Sequence, residues 1–146
     1  MKNKKKYKTI LCITPVKHLE GVYEEMSKYG NIIYKPNIKE NQLGTILSKN
    51  KNINIIYCNP NRQNFRLEKN NLEKSSIKAI FTASTGTNHI DIQYCSSKKI
   101  KIVSYKKDTK IINKLPSTSE LAVGLMISLI RNIPRSFGSV KKKKWD

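Results

Sequence analysis

Apolar residues in this chain come in short, strand-length runs, and the segments between the runs carry apolar residues at helical spacing. Ile10–Thr14, Asn31–Lys35, Ile53–Cys58, Lys78–Ser84 and Ile100–Ser104 each read as a β-strand. Leu19, Val22, Tyr23 and Met26 mark a first helix, with Gly30 as its stop signal. Ile38, Leu43, Ile46 and Leu47 mark a second, Phe65, Leu67 and Leu72 fall in a short third, and Asn88–Ser97 forms a fourth. Such a rhythm builds an α/β domain around a parallel sheet, because parallel neighbours need a crossover and the crossover is right-handed. The expectation is a five-stranded parallel sheet with helices on both faces. The near-continuous run Ile53–Ile56 agrees, since a strand covered on both sides has no solvent face to mark with polar residues.

The pattern changes after Tyr105. Lys106–Leu115 is basic and without clear period, and Pro116 follows. Ser117-Thr118-Ser119-Glu120 has the form of a capping box, in which a Ser hydroxyl satisfies an amide one turn on and the Glu reaches back. The helix it opens, Leu121–Ile133, is apolar on nearly every face and needs cover from more than one side. Pro134 breaks or restarts it. The expected organisation is one lobe over residues 1–115 and, over 116–146, a crossover helix with the opening of a second domain whose body is absent.

Composition narrows the function classes. The 146 residues carry a net charge of +19, but 25 of the basic residues are Lys and only 4 are Arg. Lys, Asn and Ile together fill 60 positions, and all three have A/T-rich codons, so the basicity reflects base composition more than selection for a polyanion. Phosphate grips built on bidentate geometry favour Arg. The longest apolar stretch, Leu121–Ile130, is too short to cross a bilayer. Lys2–Lys8 followed by Thr9–Val16 is only faintly like a signal peptide, being broken by Pro15 and lacking a small-residue cleavage site. Cys12, Cys58 and Cys95 are odd in number and far apart, so neither a disulfide framework nor a metal site is indicated. A soluble, cytoplasmic protein with no membrane partner is expected.

In open parallel sheets, ligands sit at the carboxyl ends of strands where the strand order reverses. Thr14–Lys17, Cys58–Arg62 and Ser84–Asp91 are the loops so placed, and the third is the most informative. Thr85-Gly86-Thr87 turns toward a helix expected to begin near Asn88. Gly86 allows close backbone approach or a positive φ, and free N–H groups at such a turn cradle a carboxylate or phosphate. The same features also suit a plain strand-to-helix turn capped by Asn88.

The segment Ser84-Thr85-Gly86-Thr87-Asn88-His89-Ile90-Asp91, followed by Ile100-Lys101-Ile102-Val103-Ser104, resembles the D-isomer-specific 2-hydroxyacid dehydrogenases. Ser119–Leu125 with Arg131, and Lys144-Trp145, are similar to that family's crossover helix and its sequel. The resemblance is specific over Ile77–Asp146 and merely compatible over Lys8–Asn61. It implies a flavodoxin-like substrate lobe and a Rossmann-type partner domain. It also implies hydride transfer between a D-2-hydroxy acid and NAD, in a homodimer. Main-chain N–H groups of the loop would hold the substrate carboxylate, which puts Thr85 and Gly86 at the substrate and Thr85 near the nicotinamide end of NAD. Cys58 and Asn59 would line the same cleft, and Asp91 and Glu120 fall at positions the resemblance makes structural.

The family's G-x-G-x-x-G fingerprint has no counterpart here. Gly21, Gly30, Gly44, Gly86, Gly124 and Gly138 include no pair two apart, so no pyrophosphate site is expected in this chain. The family's catalytic arginine, acid and histidine follow the fingerprint, so they are expected beyond Asp146 and the fragment reads as inactive by itself. His89 does not match the catalytic histidine and is expected at the surface of a helix start; His18 is expected to be equally bland. The alternative is a basic α/β nucleic-acid-binding module using Lys2–Lys8 and Lys141–Lys144. No helix shows a one-sided basic face and aromatics are not interleaved with the basic clusters, so specific binding of nucleic acid is not expected. A receiver needs acidic residues after strand one and an Asp ending strand three; a flavodoxin needs a hydroxyl- and glycine-rich phosphate loop. Thr14-Pro15-Val16 and Cys58-Asn59 supply neither.

Overall fold

The structure, a computed structural model, describes residues 8–60 and 65–144. The basic run before Lys8, Arg62 of the loop after the third strand, and Trp145–Asp146 lie outside the described residues. Five strands form one sheet: β1 (Lys8–Cys12), β2 (Gly30–Tyr34), β3 (Ile53–Cys58), β4 (Ala79–Thr82) and β5 (Lys101–Val103). Every pairing is parallel and the order is β2-β1-β3-β4-β5. That is the flavodoxin-like arrangement, with its reversal of direction between β1 and β3.

The crossovers carry α1 (Val22–Ser27), α2 (Glu40–Lys49), α3 (Lys69–Leu72) and α4 (Ile92–Ser97). The step from β1 to β2 runs opposite to all later steps, so right-handed connections put α1 on one face and α2, α3 and α4 on the other. The main core lies under the latter group. Leu43 and Leu47 of α2, Leu72 of α3 and Cys95 of α4 pack with Leu11, Ile53, Ile56 and Ile80 of the sheet. By contrast α1 buries no residue and contacts β2 at the sheet edge.

Several boundaries differ from the sequence expectation, each for a physical reason. Gly21 adopts a left-handed φ of 74°, so α1 starts at Val22 and Leu19 stays outside it. Gly30 does not merely stop α1. It opens β2 opposite Lys8, where an added Cβ would collide with the Lys8 carbonyl oxygen. The fourth helix begins at Ile92 rather than Asn88, and its cap is Asp91, whose Oδ1 accepts from Tyr94 N–H at 2.9 Å.

Tertiary contacts divide the chain into Met1–Lys107 and Asp108–Asp146. The stretch read as having no period holds a 3₁₀ turn, Tyr105–Lys107, and a short helix, α5 (Thr109–Ile112), whose Ile111 N–H is capped by Asp108 Oδ1 at 3.2 Å. The long apolar helix, α6, spans Ser117–Ile130. The capping box does not form: Pro116, already at helical φ, stands at the N-cap, and Ser117 is inside the helix with no side-chain cap bond. Asn132, left-handed at φ 50°, ends that run, and α7 (Ile133–Lys141) restarts with Pro134 in its first turn.

Candidate functional site

The loop after β4 is held at both ends by the sheet. On entry, Ala83 N–H donates to the Cys58 carbonyl at 2.9 Å and Tyr105 N–H to the Ser84 carbonyl at 3.1 Å, extending the β3/β4 and β4/β5 ladders by a step. On exit, Leu67 N–H donates to the His89 carbonyl at 2.8 Å and Asp91 N–H to the Leu67 carbonyl at 2.9 Å. Between these anchors, the N–H groups of Thr85, Gly86, Thr87 and Asn88 have no acceptor among the described residues. Thr85, Gly86 and Asn88 are exposed and Thr87 is half-buried.

Four successive amides without an acceptor give this clamped loop a nest of main-chain donors, the chemistry that an anion takes. No acidic residue lies between Thr82 and Ile90, and the next one, Asp91, is engaged as a helix cap. The nest is built by the turn alone, since α4 starts beyond it and its first turn is capped. Gly86 has no positive φ, and a Cβ built on it would meet nothing within 4 Å. Its bareness therefore leaves open space instead of relieving backbone strain.

Under the loop the sheet face turns polar. Cys58 pairs in register with Thr82, and both continue the inward columns of Ile56 and Ile80. His89, expected at the surface, is only 8% exposed, because the clamp on its carbonyl turns the residue inward. Its Nε2 lies 3.0 Å from Thr82 Oγ1 and 3.6 Å from Cys58 Sγ. Thr82 Oγ1 is 2.9 Å from Ser84 Oγ, which donates to the Gly86 carbonyl at 2.7 Å.

Burial lowers the proton affinity of His89. It also pushes the Cys58 thiol up to about 12, outweighing the opposing hydrogen bond with Thr82. Both groups are neutral at physiological pH. Of the residues singled out in the sequence, Thr85 and Gly86 lie together on the exposed nest, Cys58 is buried beside His89, and Asn59 follows it half-buried. His18 is exposed. Thr82 and Ser84 were not singled out, although both hydroxyls fall, two apart, in the run Lys78–Ser84 read as the fourth strand, where such residues share a face.

The neighbouring edge of the sheet carries a cation. Val16 N–H donates to Tyr34 Oη at 3.2 Å, and Lys17 Nζ lies 4.8 and 5.0 Å from the ring centroids of Tyr23 and Tyr34. An open depression of about 660 Å³ lies apart from the nest, lined by residues such as Tyr34, Asn37, Asn41 and Thr45. Among the described residues no cluster of three His, Cys, Asp or Glu side chains suits a metal, and no helix is long and apolar enough to cross a membrane.

An all-parallel sheet in the order β2-β1-β3-β4-β5, with a donor-rich loop at its carboxyl edge, defines a flavodoxin-like α/β lobe. Residues 11–111 match the family described as D-isomer specific 2-hydroxyacid dehydrogenase, catalytic domain. The match covers more than half of the chain, and the chain belongs to that family.

A D-3-phosphoglycerate dehydrogenase of Methanocaldococcus jannaschii is 29% identical over 102 residues, which is 69% of this chain and 18% of that protein. A hydroxypyruvate reductase of Thermotoga maritima is 35% identical over 71 residues, 49% of this chain and 22% of that one. The chain thus spans about a fifth of the length of these curated relatives. The fold is shared with a glyoxylate reductase from Paecilomyes thermophila, at a TM-score of 0.74 and 16% identity over 95% of this chain and 43% of the other. It is shared too with a D-lactate dehydrogenase from Aquifex aeolicus complexed with NAD and lactic acid, at 0.67 and 22% over 94% and 38%.

Proposed function

We propose that this lobe holds the carboxylate of a small 2-hydroxy or 2-keto acid on the amides of Thr85–Asn88, as the substrate-binding part of an NAD-dependent oxidoreductase acting on the acid's CH–OH group. The observation that carries this reading is the run of acceptor-free N–H groups on a loop clamped at both ends. Hydrogen bonds from N–H donors to an ionised acceptor are the strong ones. Main-chain donors read the carboxylate and ignore the rest of the acid, so the nest sets the substrate class and leaves its side chain to other residues. Holding the carboxylate also fixes the adjacent C2, the carbon that exchanges hydride, and such positioning is where a cleft of this kind accelerates reaction.

NAD use is supported by the D-lactate dehydrogenase relative, which was solved with NAD and lactic acid. In this reading Thr85 meets the nicotinamide end of the cofactor. The residues present do not fit the rest of a dinucleotide: no two glycines are two apart, and the turn after β1, Ile13–Lys17, contains none. No step of hydride transfer is therefore assigned to them. The 146 residues are expected to bind the acid without turning it over, and the active assembly is read as a homodimer.

The test is a ¹⁵N–¹H titration of this chain with oxalate, a compact mimic of the keto acid. Shifts concentrated at Thr85, Gly86, Thr87 and Asn88, and produced at the same amides by pyruvate, support the reading. Shifts confined to the depression by Asn37 and Asn41, or none at millimolar oxalate, refute it.

A further inference from the structure

We propose that His89 is a positioning residue: through Thr82 and Ser84 it sets the peptide plane that presents the Thr87 N–H to the acid. The inference rests on the carboxylate reading of the nest and adds to it the device that aims the donors.

The proton order along the chain of contacts follows from donor chemistry alone. A carbonyl oxygen only accepts, so the 2.7 Å contact from Ser84 Oγ to the Gly86 carbonyl takes the Ser84 proton. The 2.9 Å contact between Ser84 and Thr82 hydroxyls then needs the Thr82 proton, because Ser84 has no other to give. With that proton committed, the 3.0 Å contact between Thr82 Oγ1 and His89 Nε2 closes only if Nε2 carries a hydrogen. The chain reads His89 Nε2–H to Thr82 to Ser84 to the Gly86 carbonyl. The 3.6 Å contact of Nε2 with the Cys58 sulfur, a weak acceptor, fits the same hydrogen.

This order fixes the tautomer. His89 is neutral, protonated on Nε2 and bare on Nδ1. Its Nδ1 is buried and has no partner among the described residues, and burial opposes a second proton there. An apolar side chain would fill the same space without leaving a buried acceptor unmatched, so what the histidine contributes is the Nε2 donor.

The far end of the relay explains its use. No peptide bond is cis among the described residues, so the Gly86–Thr87 unit is planar and its C=O and N–H point in opposite directions. Holding the carbonyl toward Ser84 turns the Thr87 N–H away from it. The ladder bonds anchor the loop's ends, and Ile90 N–H holds the Thr87 carbonyl at 2.9 Å. The relay holds the peptide before it, Gly86–Thr87, and linked hydrogen bonds polarise one another along such a chain.

The experiment uses the 146-residue chain. A long-range ¹H–¹⁵N spectrum should show His89 protonated on Nε2 and bare on Nδ1; the opposite tautomer overturns the inference. Ser84→Ala and His89→Leu should lower the backbone ¹⁵N order parameters of residues 85–88 and weaken oxalate binding about tenfold, the size of one lost hydrogen bond. Ser84→Thr keeps the hydroxyl and His89→Gln keeps a side-chain N–H donor, so both should restore near wild-type order and binding, which a purely space-filling role would not produce. If the wild type binds oxalate at the nest while Ser84→Ala leaves order and affinity unchanged, the relay is refuted and the carboxylate reading stands. If the wild type binds no oxalate, the carboxylate reading fails, and the tautomer and order parameters still judge the relay.

Discussion

Replacing Gly86 by Ala separates a glycine needed by the fold from one kept bare for a ligand. The residue has no positive φ, and an added Cβ would meet no atom within 4 Å. The methyl group therefore adds no clash, and it narrows the unfolded ensemble, which is worth roughly 0.4–1 kcal/mol in favour of folding. For a lobe of this size that raises Tm by about 2–6 °C. Binding should move the other way. A Cβ between the Gly86 and Thr87 amides occupies the space an anion must enter to reach either. Losing one hydrogen bond to a charged group costs about 1.5–3 kcal/mol, or ten- to somewhat over a hundredfold in affinity.

The assay pairs differential scanning calorimetry with the oxalate titration, on wild type, Gly86→Ala and Gly86→Val. In an intact relative carrying the same loop, the equivalent change should raise KM for the hydroxy acid. A variant with raised or unchanged Tm and lost affinity fits the reasoning. One that melts lower while binding normally refutes it, because the glycine would then serve the backbone and not the ligand.

Four further outcomes are expected. Gly30→Ala should destabilise the chain by about 1–3 kcal/mol in urea melts, since the new methyl meets the Lys8 carbonyl across the β1–β2 pair. Burial lowers the proton affinity of His89 from its ordinary value of 6.5, so the unfolded chain takes up the proton first. Stability should be full above pH 6.5 and fall as pH drops through and below it, and His89→Gln should remove that limb; an identical pH profile for both would contradict the burial. Cys12, Cys58 and Cys95 are all free and buried, so a thiol reagent should label none of them in the native chain and all of them in guanidinium. Leu129 and Ile130 of α6 are each 79% exposed, so light scattering should find concentration-dependent association that the pair Leu129→Lys and Ile130→Lys suppresses. A fixed monomer mass at high concentration is the contrary result.

Much of this was legible in the residues themselves. The third strand has the bounds its apolar run suggests, Ile53–Cys58, because a short, near-continuous apolar run and the flanking turn Asn59-Pro60 act within a few residues. Parallel pairing follows from the spacing of the runs, and the amide-rich turn at Thr85-Gly86 from their punctuation. The flavodoxin-like strand order came with the family resemblance, since periodicity does not rank strands.

What local pattern missed, distant contacts had decided. Asn88 and Asp91 are both good helix caps, but the parallel bridge of Leu67 with Ile90 keeps the chain extended until Asp91, so only Asp91 is used. Pro116 displaced the capping box by starting α6 before Ser117 stood at its edge. The sequence by itself determined that this chain makes an α/β lobe with a donor-rich turn at one sheet edge, because periodicity and backbone chemistry are local properties. Only the tertiary structure turned His89 inward onto Thr82 and Ser84, because the bond that does so comes from Leu67, in a segment that meets the loop only once the sheet has formed.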